Sequence, residues 1–484
     1  MNTPASTNSL IGPSRRNFLH LSGGGFGLLG LGNLLASEGP SSTATVQRRT
    51  NSGGHHAAAA KQVIQVFCTG AMSHLDTFDY KPELEKRAGK PFDPSGELQF
   101  FASKPGNCQP SYWSFRQHGE SGRWISDLLP NLADCVDDMA FIYSMQNKSA
   151  LHGPATFMMN TGFIRPDFPT MGAWVTYGLG SENNNLPSYV VIPDARGVPP
   201  GGPLTWGAGF LPAMHQGTKM NVAKGRPAID HLFPKSSLRP SISDERASRD
   251  LVQWLNGRHH EAHAEDTELA ARIEAFELAA RLQLSAPDVT DLSQETRATE
   301  ELYGLHDPAI EPFGRQCLMA RRLVERGVRF VQVFCGADNV PPPRPNWDAH
   351  EDLKVNHGKH GPVYDRGVAA LIKDLKQRGL LDETLVIGTT EFGRQPAAQG
   401  KGRDHNPGAY TTWLAGGGIR GGASYGTSDE LGFQAEENPC YSYDLHATCL
   451  HLLGLNHERL TYYHNGIERR LTDVHGHVIN DLIA

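Results

Sequence analysis

Short apolar runs that alternate with helical patterns are the feature that most limits what this chain can fold into. Gln62-Val63-Ile64-Gln65-Val66-Phe67-Cys68 is almost uninterrupted and ends at Thr69-Gly70. Similar runs follow at Phe141–Met145, Tyr189–Ile192, Val328–Phe334, Thr384–Thr389 and Thr411–Ala415, the last closed by Gly416-Gly417-Gly418. Strands this apolar on both sides are covered on both faces, which is the pattern of parallel sheets. Between them lie helical stretches. One runs from Arg315 to Glu325 and stops at Gly327. Another, from Pro362 to Arg378, repeats Val363, Val368, Leu371 and Leu375 on one face and ends at Gly379. Asp444, read as an N-cap, opens a last helix that closes at Gly454. The expected fold class is α/β, a largely parallel sheet sandwiched by helices. A polar, Ala-rich stretch from Asp244 to Leu284 carries a stripe of Leu269, Ile273, Phe276, Ala280 and Leu284, which is simplest as core packing.

The N-terminus reads as an address. Ser14-Arg15-Arg16-Asn17-Phe18-Leu19 is a twin-arginine pattern, and Leu21–Ala36 is Gly- and Leu-rich and uncharged. That stretch is too short and glycine-rich for a membrane span, which takes ~20 apolar residues. Residues 1–36 are therefore expected to be a twin-arginine signal peptide and 37–60 a flexible linker. Residues 61–484 are expected to form a single α/β domain with loop and helical insertions at about 195–300. The expected location is the periplasm or the extracellular space, and the chain is not expected to span a membrane once the signal is cleaved. A net charge of −7 gives no basic surface for nucleic acid. Seven cysteines form no CxxC pair, and the odd count leaves at least one thiol unpaired or intermolecular.

Chemistry concentrates after the apolar runs, where an open α/β sheet gathers its active-site groups. Asp348 and His350, two apart in Trp347-Asp348-Ala349-His350, would share one face of an extended segment and could grip one ion. Glu391 directly follows a buried strand, where an unpaired carboxylate is costly. Arg394 offers it either a structural partner or a planar fork for an oxyanion. Asp404 and His405 sit in a glycine-rich stretch, Gly400–Gly408, read as a loop. After the first strand, Asp76 or Asp79 could complete a metal shell or cap the next turn. His152, with Thr156 after it, begins a helix whose N-terminus favours an anion. His357 and His360 are further candidates at the start of the Pro362 helix.

Five of these stretches, Ser73–Asp79 with Lys81-Pro82, His152–Gly162, Asn346–His350, Thr389–Arg394 and Gly402–Pro407, resemble an exported bacterial family known as domain of unknown function 1501. The closing Leu471–Gly476 is similar to its planctomycete-like branch. That resemblance covers about Gln62 to the C-terminus and implies an alkaline-phosphatase/sulfatase-like fold. It further implies one or two divalent ions (zinc, manganese, calcium or magnesium) at the C-terminal edge of the sheet. Asp348 and His350 look like ligands of the first ion, Glu391 stands where the superfamily has an Asp, and His405 resembles a later ligand histidine. The implied metal set is thus Asp76, Asp348, His350, Glu391, Asp404 and His405, with His152, Thr156 and Arg394 as catalytic groups. The sequence departs from the pattern in three places. Phe392 replaces a ligand histidine, Thr69-Gly70 lacks the usual Asp, and His152 falls at the position of the sulfatase's modified cysteine.

The function so implied is an exported metal-dependent hydrolase of phosphate or sulfate esters. Its partner would be an anionic ester, either a sulfated or phosphorylated small molecule or a glycan. The alternative is a catalytically degenerate periplasmic binding protein for an anionic glycan or another exported protein; an exported cytochrome-like partner also follows from the resemblance.

Overall fold

The computed structural model describes residues 54–96, 98, 104–183, 185–229, 242–262, 273, 289–338 and 344–484. The segment expected to be a signal peptide, the expected linker up to residue 53, and Leu269, Phe276, Ala280 and Leu284 of the Ala-rich stripe lie outside them. Two compact units result. Of the first, the described residues are Ile229 and the 21-residue helix Ile242–Ala262. The other, residues 51–228 and 270–484, holds the sheet and every candidate site residue.

The main sheet has eight strands: β1 (Gln62–Cys68), β2 (Met139–Met145), β3 (Tyr189–Ile192), β4 (Thr218–Lys219), β5 (Phe330–Cys335), β6 (Thr384–Thr390), β9 (Tyr410–Ala415) and β10 (Ser424–Tyr425). Between β6 and β9 the chain forms a separate antiparallel ribbon, β7 (Gly393–Gln399) with β8 (Gly402–Asn406). The order across the sheet is β10-β2-β9-β6-β1-β5-β3-β4. All neighbours are parallel except β9, which runs antiparallel to β2 and β6. The expected largely parallel sheet is what forms.

Apolar alternation decides the two faces. Val63 and Phe67 join one core with Met159, Trp174, Leu445 and Leu450. Those residues come from α1 (His152–Thr161), α2 (Met171–Leu179) and α5 (Ser442–Leu452). The opposite face is covered by α3 (Glu311–Glu325) and α4 (Leu353–Gln377). There the Trp413 indole N–H donates to the Tyr364 hydroxyl at 3.0 Å. Gly388, opposite Trp413 in the β6–β9 register, has to be a glycine: a Cβ there would lie 2.0 Å from the indole.

Three local expectations change. Helix α4 starts nine residues before Pro362, because the Asp352 side chain accepts from the Val355 N–H at 2.9 Å and caps it there. Asp444 is the third helical residue of α5 rather than its cap, and its carboxylate accepts from the Tyr441 N–H at 2.9 Å in a capping box. Residues 402–406, expected in a loop, are strand β8, paired with β7 from Gly402↔Gln399 to Asn406↔Gly393. At the start of the described chain, the Ala59 and Ala60 N–H groups donate to Leu452 O and that of His55 to Gly454 O. Among the described residues no helix is long and apolar enough to cross a membrane.

Candidate metal centre

Register fixes where the site can be. Cys68 pairs with Cys335 on one side and with Thr390 on the other, so β1, β5 and β6 end at one level. Just past that edge the backbone turns at Gly70, φ +101°, a conformation that favours glycine. Space demands it too, since a Cβ would sit 2.6 Å from the Asp348 nitrogen. The close approach lets the loop 346–350 lie against the end of β1, with the Trp347 N–H donating to Thr69 O at 2.9 Å.

Four acceptor atoms converge here. Asp348 Oδ1 lies 3.4 Å from His152 Nε2, 2.9 Å from His350 Nε2 and 3.5 Å from His405 Nε2. The two nitrogens of His350 and His405 are 2.9 Å apart. Each imidazole is tied through its other nitrogen to an oxygen acceptor. His152 Nδ1 lies 2.7 Å from Glu391 Oε1, His405 Nδ1 2.6 Å from Ala150 O, and His350 Nδ1 2.5 Å from Gln399 Oε1. An oxygen acceptor requires a proton on Nδ1, so Nε2 is the nitrogen that each ring turns toward Asp348. Phe392, which replaces an expected ligand, packs between the rings, its centroid 5.0 Å from His152 and 4.7 Å from His405.

Behind this cluster the charges are settled by buried partners. Arg394, fully buried, donates to Ala71 O, Arg403 O, Gly70 O and Asp348 Oδ1 at 2.5–3.0 Å. Glu391, also fully buried, accepts from Gly70 N–H (2.8 Å) and His152 at Oε1, and from Thr390 Oγ1 (3.1 Å) at Oε2. Burial works against the Asp348 charge, but the Arg394 guanidinium and the three imidazoles hold its carboxyl far below the usual carboxylate range. Burial would likewise lower His152, yet the neighbouring Asp348 and Glu391 carboxylates raise it to about 9; burial lowers His405 to about 4.

The other candidates are placed as follows. Asp404 Oδ1 accepts from the His405 N–H at 2.8 Å and stands 3.9 Å from His350 Nδ1. Asp76 is not part of the four-atom cluster: its Oδ2 binds Ser73 Oγ at 2.5 Å and Arg403 Nε at 2.9 Å, and its Oδ1 is buried without a hydrogen-bond partner. Asp79 holds Lys81 and Ser428. Thr156 is buried one turn into α1, its Oγ1 without a hydrogen-bond partner. His357 accepts from the Ser73 N–H at 3.0 Å, and His360 packs against Trp347. Gln399 and the Ala150 carbonyl, which orient two of the rings, have no signature in the sequence. A backbone carbonyl has no residue type, and Gln399 reaches His350 from the far end of β7.

The donor set suits a divalent cation. Three imidazole nitrogens and a carboxylate oxygen are the ligand chemistry of zinc and similar ions. The opposed His350 and His405 lone pairs call for a proton or a cation between them. Tying each ring's Nδ1 to an oxygen is the usual support of ligating histidines. Two overlapping groups, His152 with Asp348 and His405, and His350 with Asp404 and His405, have the spacing to hold an ion.

Fold and site together define an α/β protein with a histidine–aspartate centre at the carboxyl edge of its sheet. The chain belongs to the family described as protein of unknown function (DUF1501), whose pattern matches residues 60–483. No curated protein matches its sequence. Among solved structures it is similar to the PsFucS1 sulfatase from Pseudoalteromonas sp., at 13% identity and TM-score 0.33 over 82% of this chain and 68% of that one. The phosphonate monoester hydrolase of Agrobacterium radiobacter gives 12% and 0.34 over 82% and 74%. TAB5 alkaline phosphatase, a His 135 Glu mutant with Mg bound, gives 9% and 0.34 over 82% and 99%.

Proposed function

We propose that this protein is an exported, metal-dependent hydrolase of phosphate or sulfate esters. The observation that carries the reading is the convergence of three imidazole Nε2 atoms on Asp348 Oδ1, each ring tied at its other nitrogen. A bound divalent ion would polarise the ester and neutralise charge building on its non-bridging oxygens. Asp348, His350 and His405 hold the ion, and Arg394 fixes Asp348 from behind. Helix α1 starts at the cluster with Leu151 as its N-cap and no side-chain capping bond, so its first N–H groups face an incoming anion. The position a Cβ of Gly153 would take is open, which leaves room for the ester there.

One observation favours the second reading, a binding protein for an anionic glycan or another exported protein such as a cytochrome-like partner. Arg394, expected as the anion clamp, already makes four hydrogen bonds within the protein. Elemental analysis of the purified protein beside Asp348→Ala, followed by turnover of nitrophenyl phosphate and nitrophenyl sulfate, separates the two. A stoichiometric divalent metal and ester turnover, both lost in the variant, are expected. A folded, metal-free wild type without turnover would leave the binding role.

A further inference from the structure

The part played by His152 can be taken further, on the reading of the cluster as a metal centre. We infer that His152 is a ligand of the ion rather than the group that attacks the ester, and that Glu391 is the positioning carboxylate that holds it.

The geometry leaves His152 little else to do. As first residue of α1 it is anchored by the helix, and its Nδ1–H is committed to Glu391 at 2.7 Å. That leaves Nε2, which is shut off from solvent, makes no hydrogen bond, and stands 3.4 Å from Asp348 Oδ1. An attacking nitrogen has to meet an incoming phosphorus or sulfur in line, which needs open surface at that atom. A ligand nitrogen needs only to face the ion. The rings of His350 and His405 present the same arrangement, with Nδ1 bonded to an oxygen and Nε2 turned inward. Three rings built alike around one carboxylate oxygen are most simply three ligands of the same kind.

Glu391 is equally constrained. Both its oxygens are engaged, Oε1 by Gly70 N–H and His152, and Oε2 by Thr390 Oγ1. Its backbone carbonyl accepts from Asn147 Nδ2 at 2.8 Å, and Asn147 also reaches Ala155 O of α1 at 3.2 Å. The strand end and the helix start are thereby locked together, and the carboxylate sits behind the imidazole, away from Asp348 Oδ1. Carboxylates so placed orient a ligating ring and strengthen its basicity.

Cobalt(II) titration of the full chain tests this, with folding of each variant checked by circular dichroism. Wild type should bind cobalt with visible ligand-field bands. His152→Cys should add a near-ultraviolet sulfur-to-cobalt charge-transfer band, which appears only if residue 152 touches the ion. His152→Ala should weaken binding more than Glu391→Gln. Glu391→Gln should keep the stoichiometry and lose about 10–100-fold in affinity. A cysteine variant that binds cobalt like wild type without the new band would overturn the assignment of His152 while leaving the centre itself intact. Unchanged affinity in Glu391→Gln would overturn the positioning role. A wild type that takes up no cobalt would remove the centre and this inference with it.

Discussion

Arg394 and Asp348 form a pair whose energetics can be measured on their own. The guanidinium is fully buried and bridges three backbone carbonyls to Asp348 Oδ1. Removing one partner of a buried pair leaves the other uncompensated and typically costs about 3–5 kcal/mol. Arg394→Met should therefore lower the stability of the metal-free protein by about that much. Arg394→Lys should recover only part, since an ammonium cannot reproduce the planar fork. Urea unfolding midpoints of the three proteins would show it; a methionine variant as stable as wild type would contradict the account. Single residues also show where sequence reading stops. Glu391 could be singled out because a carboxylate after a buried strand has to be held by something. Asp348 and Asp76 look alike in sequence, each a carboxylate beyond a strand. Only the fold distinguishes them, because three imidazole nitrogens gather on Asp348 Oδ1 while Asp76 Oδ2 bonds Ser73 and Arg403.

At the scale of elements, the centre depends on how closely β1 approaches the 346–350 loop. Gly70 sets that approach, and its N–H and C=O serve Glu391 and Arg394 together. Gly70→Ala places a methyl group where the Asp348 nitrogen now lies 2.6 Å away, at a φ that side chains rarely adopt. The expected result is at least a tenfold loss of metal affinity with the far-ultraviolet spectrum preserved, because the strand itself stays paired. Wild-type affinity in that variant would show that the loop tolerates displacement. The strands that carry this edge were legible from apolar runs alone, β1 and β3 to the residue. The β7–β8 ribbon was not. Its glycines suggested a loop, and its polar residues, buried by tertiary contacts, gave no alternation to read.

Across the whole molecule, buried neutral histidines tie stability to pH. Burial lowers His446 to about 4, although its bond to Met159 O works in the other direction, and it lowers His215 and His360 to about 4 and His357 to about 3. An unfolded histidine titrates near 6.5, so between that pH and 4 the unfolded chain binds more protons than the folded one. The stabilisation is complete above about 6.5 and is lost as pH falls through the folded values. His446→Gln should keep a donor for Met159 O and remove one of these steps. Relative to wild type it should gain on the order of 3 kcal/mol between pH 7 and 4. Denaturant midpoints at both pH values provide the check, and parallel pH profiles would rule the step out.

The placement of β1 has a consequence for the growing chain. Val63 pairs with Phe330 and with Leu385, so this strand leaves the ribosome long before either neighbour has been made. Until then both backbone edges of the strand are unpaired and the apolar side chains of Val63, Ile64, Val66 and Phe67 are uncovered, the condition under which strands pair with the wrong chain. Nascent molecules should be in greatest danger of clumping over most of their synthesis, and safe only once Thr384–Thr390 has docked beside the strand that was made first.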